Sequence, residues 1–142
     1  MVETRNHRLF PPVPLPAPFL AALDGRDEVL VSSRDRDRQG TVPVWFIVAP
    51  PGVVYLFTSA FSTKARRWRH DPWVRLTVPG TSIAAEGVAV FVDESELAPV
   101  AAAVVDRWGM QGAPTVEGLR RTIRDASHAL VRIEGERRLF DL

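Results

Sequence analysis

The segment TSAFSTKARRWRHDP, residues 58–72, places four hydroxyl side chains in its first six positions and then turns basic. Thr58, Ser59, Ser62 and Thr63 precede Lys64, the one lysine of a chain that otherwise uses seventeen arginines. Hydroxyls, a helix start and a flexible ammonium are together the parts of an oxyanion site. The first backbone N–H groups of a helix have no internal acceptor and lie at the positive end of its dipole. A lysine adds a mobile point charge where arginine would impose a planar fork. If the helix begins near Ser62 and runs until Pro72 forbids it, Ser62 is its cap. Phe61, Ala65 and Trp68 then form the buried stripe, and Lys64 and Arg67 share an adjacent face. A phosphate at that helix start would meet N–H donors, hydroxyls and Lys64. The competing readings are a solvated basic face or a nucleic-acid patch with interleaved Trp68 and Trp73. An inward Trp68 and a formal net charge of +1 make nucleic acid unlikely.

Other chemistry is missing from the text of the sequence. It contains no G-x-S-x-G, H-E-x-x-H, Walker or G-x-G-x-x-G pattern. His7, His70 and His128 stand far apart in the chain, and cysteine is absent, so neither a metal site nor a disulfide is expected. Without a nucleophile and base, any reaction has to be carried by a bound cofactor. The 142 residues, 46% hydrophobic and 25% charged, suit one globular domain, and no secretory pattern opens the chain, so a cytoplasmic protein is expected.

The elements that must position these residues read mostly as strands. Residues 1–16, ending in PPVPLP, are expected to form an extended arm on the surface or on a partner subunit, ahead of a single domain over 17–142. APFLAALDG has helical spacing at Phe19, Leu20 and Leu23, with Gly25 as its stop. EVLVSS and TVPVWFIVA read as strands around a charged hairpin tip, RDRDRQG. Residues 42–61 are twenty positions without charge, but Pro50, Pro51 and Gly52 divide them into a hairpin rather than a membrane helix. WVRLTV and SIAAEGVAVFVD supply two more strands, and HALVRI and RRLFDL a closing hairpin around Gly135. Val42, Val44, Phe46 and Val48 on one side and Trp45 and Ile47 on the other predict cover on both faces, by barrel closure or by a dimer. Ser95 is expected to cap a helix over 95–108, and Thr115 a second with a Val116, Leu119, Ile123, Ala126 stripe. The fold class is therefore mainly β (α+β), with flanking helices.

Three passages, VPVWFIV with VVYLFTS, then STKARRWRHDPWVRLTV, then AAEGVAVFVD, resemble the pyridoxamine 5'-phosphate oxidase-like split β-barrels, nearest to their flavin- and deazaflavin-dependent oxidoreductase branch. The resemblance covers about residues 17–142. It implies a six- to seven-stranded split barrel, a homodimer, and an FMN or coenzyme F-420 (deazaflavin) ring in the cleft between subunits. Thr58 and Ser59 match the hydroxyls at the strand end, Ser62 the cap, Lys64 the phosphate lysine, and Arg67 a further contact; Thr63 stands beside them. Val44, Trp45 and Phe46 match the strand whose backbone runs along the ring. The implied activity is hydride transfer to a small unsaturated or carbonyl substrate. The alternative within the same fold is a non-catalytic flavin or haem binding or storage protein. The oxidases themselves carry an arginine where this chain has Thr41, Val42 and Pro43, another at Thr63, and R-Q-V-R where it has SIAA, so oxidation of pyridoxamine phosphate is not implied.

Overall fold

The computed structural model of the protein describes residues 11–136. The first ten residues of the expected arm and the RRLFDL strand lie outside them. Strands β1 (Glu28–Asp35), β2 (Arg38–Trp45), β3 (Ile47–Ala49), β4 (Val53–Ser59), β5 (Trp73–Thr77), β6 (Ala84–Phe91) and β7 (His128–Gly135) form one sheet in the order β2-β1-β5-β6-β7-β4-β3. Every pairing is antiparallel. Helices α1 (Ala17–Leu23), α2 (Thr63–His70), α3 (Ala101–Trp108) and α4 (Val116–Arg124) complete the α+β architecture.

The topology by itself requires a barrel. β2 and β3 stand at opposite edges of the sheet, yet only Phe46 separates them in the chain. Seven strands laid flat would span about 29 Å, whereas the Cα atoms of Trp45 and Ile47 can be at most about 7 Å apart. The sheet therefore curls until its edges meet at Phe46, which is buried inside. Beyond that point β2 follows β1 while β3 follows β4, and the barrel splits between them.

The interior holds Val29, Val31, Val54, Leu56, Val74, Leu76, Val131 and Ile133, closed by Phe19 and Leu23 of α1 and Trp68 of α2. A second core lies outside β4 and β7, where Val53, Tyr55, Phe57 and Leu130 meet Val104 and Trp108 of α3 and Leu119 of α4. β4 is thus covered on both faces, which explains its unbroken apolar run. The outward face of β7 also buries a charge. Arg132 Nε donates to Glu134 Oε2 at 2.6 Å, and its Nη2 stands 3.6 Å from Glu96 Oε2.

Several expectations change. The TVPVWFIVA strand is two, bent at Phe46. The hairpin tip shrinks to Arg36 and Asp37, since Asp35 already pairs with Arg38. Cover on both faces does not hold within one chain: Val42 and Trp45 of β2 and Val48 of β3 are 44%, 37% and 47% exposed, on the two edge strands of the sheet. Phe61 is 74% exposed instead of buried, because the helix begins only at Thr63 and helical spacing does not apply to it. The helix expected from Ser95 is a 3-10 turn over Glu94–Glu96 capped by Asp93, then α3 from Ala101; Pro99 lies between and lacks the N–H a helix would use. Ala126 falls beyond α4, at φ 59°. The described end of the arm lies on its own barrel, with Leu15 buried, Leu15 N–H donating to Gly52 O at 2.8 Å and Gly135 N–H to Val13 O at 2.8 Å.

Candidate functional site

The turn from β4 into α2 is built by the hydroxyls themselves. Ser59 ends the strand; its Oγ accepts from Phe61 N–H at 3.2 Å and its carbonyl from Ser62 N–H at 3.1 Å. Ser62, in extended geometry, caps the helix by accepting from Ala65 N–H at 3.2 Å. Both hydroxyls spend an acceptor lone pair on the turn, and neither O–H donates to a partner among the described residues. Thr58 is buried and has the inward parity of Val54 and Leu56, so strand alternation places it on the face opposite Ser59.

Lys64, at the second helical position, is half-buried and has no ion pair or hydrogen bond from its ammonium among the described residues. Burial pulls its pKa below the ordinary lysine value, since the charged form loses water and gains no counter-charge. The amides of Thr63 and Lys64 belong to the first turn and have no helical acceptor. This donor set fits a phosphate: free first-turn N–H groups, two hydroxyls with an unused O–H and an ammonium without a counter-ion among the described residues.

Thr63 and Arg67 line a different side of the helix, a cleft of about 260 Å³ with Arg66, His70 and Asp35. Lys64 is not among its walls. Arg67 Nη1 donates to Ser33 Oγ at 3.4 Å and lies over Gly40, the cross-strand partner of Ser33. A Cβ at Gly40 would stand 2.6 Å from that nitrogen.

Val44 and Trp45 are gathered elsewhere, in a cleft of about 340 Å³ with Glu28, Pro43, Phe57, Trp108 and Gln111. The Arg107 guanidinium lies 4.7 Å over the Trp45 ring and its Nη2 holds Asp27 O, so α3 and the start of β1 fix the indole between them. The Phe46 side chain belongs to the barrel core, which leaves only its backbone to a ligand. β4 joins the two regions: Phe57 of the Trp45 cleft precedes Ser59 by two residues, about 7 Å along a strand. His128, paired with Ser59, stacks on Phe57 at 5.1 Å, and its Nδ1 lies 3.2 Å from Ser127 Oγ.

Sequence reasoning put Arg66 and His70 on a separate helix face without a role, and missed Asp35 on the basic cleft, Phe57, Trp108 and Gln111 around the indole, and His128 stacked on Phe57. Arg66 and His70 follow Thr63 by three and seven residues, a spacing that puts all three on one face of the helix. The others come together only through strand order, which no local pattern carries.

No family model and no curated protein matches the sequence. Solved structures do. A candidate pyridoxamine 5'-phosphate oxidase from Listeria innocua is 17% identical over 88% of this chain and 97% of its own, with a TM-score of 0.59. HutZ, a haem storage protein from Vibrio cholerae, is 15% identical over 89% of this chain and 93% of its own, TM-score 0.57. An FAD-binding protein from Mesorhizobium loti is 17% identical over 82% and 84%, TM-score 0.56. The sheet order and curvature thus define an α+β split barrel. Its fold is that of the pyridoxamine 5'-phosphate oxidase-like proteins. Among the described residues no helix is long and apolar enough to cross a membrane.

Proposed function

We propose that the protein is a cytoplasmic, homodimeric flavin- or deazaflavin-binding oxidoreductase acting on a small unsaturated or carbonyl compound. The observation that carries this reading is Lys64, a half-buried ammonium with no counter-ion among the described residues, at the first turn of a helix capped by Ser62. Lys64, Ser59, Ser62 and Thr63 hold the cofactor phosphate. The edge backbone of β2 through Val44, Trp45 and Phe46 runs along the ring. An edge strand leaves alternate N–H and C=O groups without ladder partners, and these match the polar rim of an isoalloxazine or deazaflavin. The bound cofactor supplies hydride chemistry when present; the chain positions it and excludes water. A second subunit over the exposed Val42, Trp45 and Phe61 completes the enclosure.

Similarity to proteins described as flavin-binding and as haem-storing supports a bound cofactor of one of those classes. A visible spectrum of the purified protein, alone and with FMN, deazaflavin coenzyme or haem added, tests the reading. Flavin or deazaflavin bands with micromolar binding are expected. Binding of neither sinks it, and a Soret band alone moves the protein to the haem reading.

A further inference from the structure

The stripe of α2 that faces the β1–β2 hairpin differs from the one bearing Lys64. Thr63, Arg66, Arg67 and His70 recur at helical spacing along the cleft, and Asp35 forms the opposite wall. An adjoining hollow shares Asp35 and His70 and continues over Arg34, Arg36 and Asp71. The charged and titratable side chains facing this groove are therefore Arg34, Arg36, Arg66, Arg67 and His70 against Asp35 and Asp71. Arg34 is already neutralised by Asp71, its Nε 2.6 Å from Oδ2. Asp35 forms no ion pair with any of the remaining four among the described residues.

Arg67 is the built part of the groove. Its guanidinium rests on the bare backbone of Gly40, and one nitrogen donates to the buried hydroxyl of Ser33. The other N–H donors meet no acceptor among the described residues. Elsewhere Arg75, Arg124 and Arg132 each hold a carboxylate. An arginine held in place with its fork unfilled has already lost the side-chain freedom that binding would otherwise cost, and it matches two oxygens of one oxyanion.

We propose that this cleft is a second anion-binding site, separate from the helix start at Lys64, which takes a phosphate or pyrophosphate group. Thr63 belongs both to the helix start and to the cleft, and from Thr63 to His70 the helix rises about 10 Å. The occupant can be the anionic extension of a cofactor whose first phosphate sits at Lys64, a source that rests on the function proposed above, or a separate phosphorylated ligand. The anion site itself does not depend on that function.

The test is titration of inorganic pyrophosphate into the isotope-labelled full chain at low ionic strength, read by amide shifts. Shifts are expected at Asp35, Gly40 and His70. Arg67→Ala removes these and keeps the shifts at Ser62 and Lys64, while Arg67→Lys, which retains charge but not the fork, weakens the cleft by about tenfold. Arg66→Ala, exposed and remote from the Gly40 contact, weakens it by about threefold with the fold intact and covers the case in which Arg67→Ala disturbs the hairpin. Shifts confined to Ser62 and Lys64, or cleft shifts unaltered in both alanine variants, overturn the proposal. Flavins separate the sources, because FMN ends at its phosphate and FAD continues through a second one. If Arg67→Ala weakens FAD by about tenfold and FMN by less than about twofold, the anion is the cofactor's extension. If pyrophosphate shifts are lost while both flavins bind as before, it is a separate ligand. A chain that binds no flavin ends the functional reading and leaves the pyrophosphate titration to decide the cleft.

Discussion

Lys64 is stabilised by nothing in the described chain, and that sets stability against binding at one residue. Its pKa is lowered by burial, so carrying the charge costs the folded protein more than the unfolded chain; that penalty is full below the folded value and lifts as pH rises from it to the ordinary lysine value. Replacement by methionine keeps the stem and removes the charge. Lys64→Met is expected to leave the melting temperature of the ligand-free protein unchanged or slightly raised, while weakening the phosphate-bearing cofactor by about 1–3 kcal/mol, the scale of a lost charge-assisted hydrogen bond. A drop in melting temperature with unaltered cofactor affinity would make Lys64 a structural residue. The opposite case is Arg132, whose buried charge is matched by Glu134 at 2.6 Å and approached by Glu96. Removing Glu134 takes away the nearest counter-charge of a buried guanidinium, so Glu134→Ala should cost about 3 kcal/mol in denaturant unfolding, more than any exposed pair among the described residues. Ser62 and Thr115 could be named as caps from sequence because capping is a contact over three residues. Phe61 could not, since its place in a turn depends on where Ser59 ends β4.

At the scale of elements, the junction between α2 and β5 is held by one carboxylate. Asp71 ends the helix, donates its own N–H to Arg67 O at 2.8 Å, holds Arg34 through Oδ2 and accepts Trp73 N–H through Oδ1 at 3.0 Å. The Arg34 hydrogen bond, and then the Trp73 amide, keep its pKa below the usual carboxylate value. The folded value is lower than the unfolded one, so the stabilisation is complete above about pH 3.9 and is lost as pH falls through the folded value. Thermal melts from pH 5 downward are expected to show an acid limb that Asp71→Asn makes shallower. Glu86 and Glu94, held down by Arg75 and Arg124, retain their share of it. An acid limb identical in the variant would mean that the junction is not held by this charge. The D-P pair marked the helix end in the sequence because proline forbids continuation, yet the partner Arg34 lies 37 residues away and left no local trace. Pro99 acted by the same rule inside the expected 95–108 helix, where the apolar spacing of Leu97, Ala101 and Val104 concealed it.

For the whole molecule, the type and most positions of the strands were legible from β-branched runs punctuated by Pro and Gly, whereas the division of TVPVWFIVA into two and the strand order were not. The barrel closes because its two edge strands, β2 and β3, are joined through Phe46 alone, and only the pairings of Val44 with Val29 and of Ile47 with Tyr55 disclose it. That closure leaves β2 as an edge with Val42, Trp45 and, past the bend, Val48 exposed, and Phe61 protrudes beside the proposed phosphate end. Long exposed apolar edges are a liability that soluble proteins cover, and β2 carries none of the usual guards beyond Pro43 and the charges at its hairpin tip. A second copy of the chain is the cover we propose. Light scattering should then give twice the mass of the chain. Val42→Asp, which puts a carboxylate on that edge outside the helix start at Lys64 but two residues from the Gly40 that carries Arg67, should weaken self-association by about 100-fold, the scale of burying an unpaired polar group at about 3 kcal/mol. If the ring lies between subunits, cofactor affinity in Val42→Asp becomes dependent on protein concentration and recovers when the chain is concentrated. A wild-type chain of single mass, or a monomeric Val42→Asp that binds cofactor as tightly as the parent at every concentration, would place the whole site within one subunit and leave the exposed edge to some other partner.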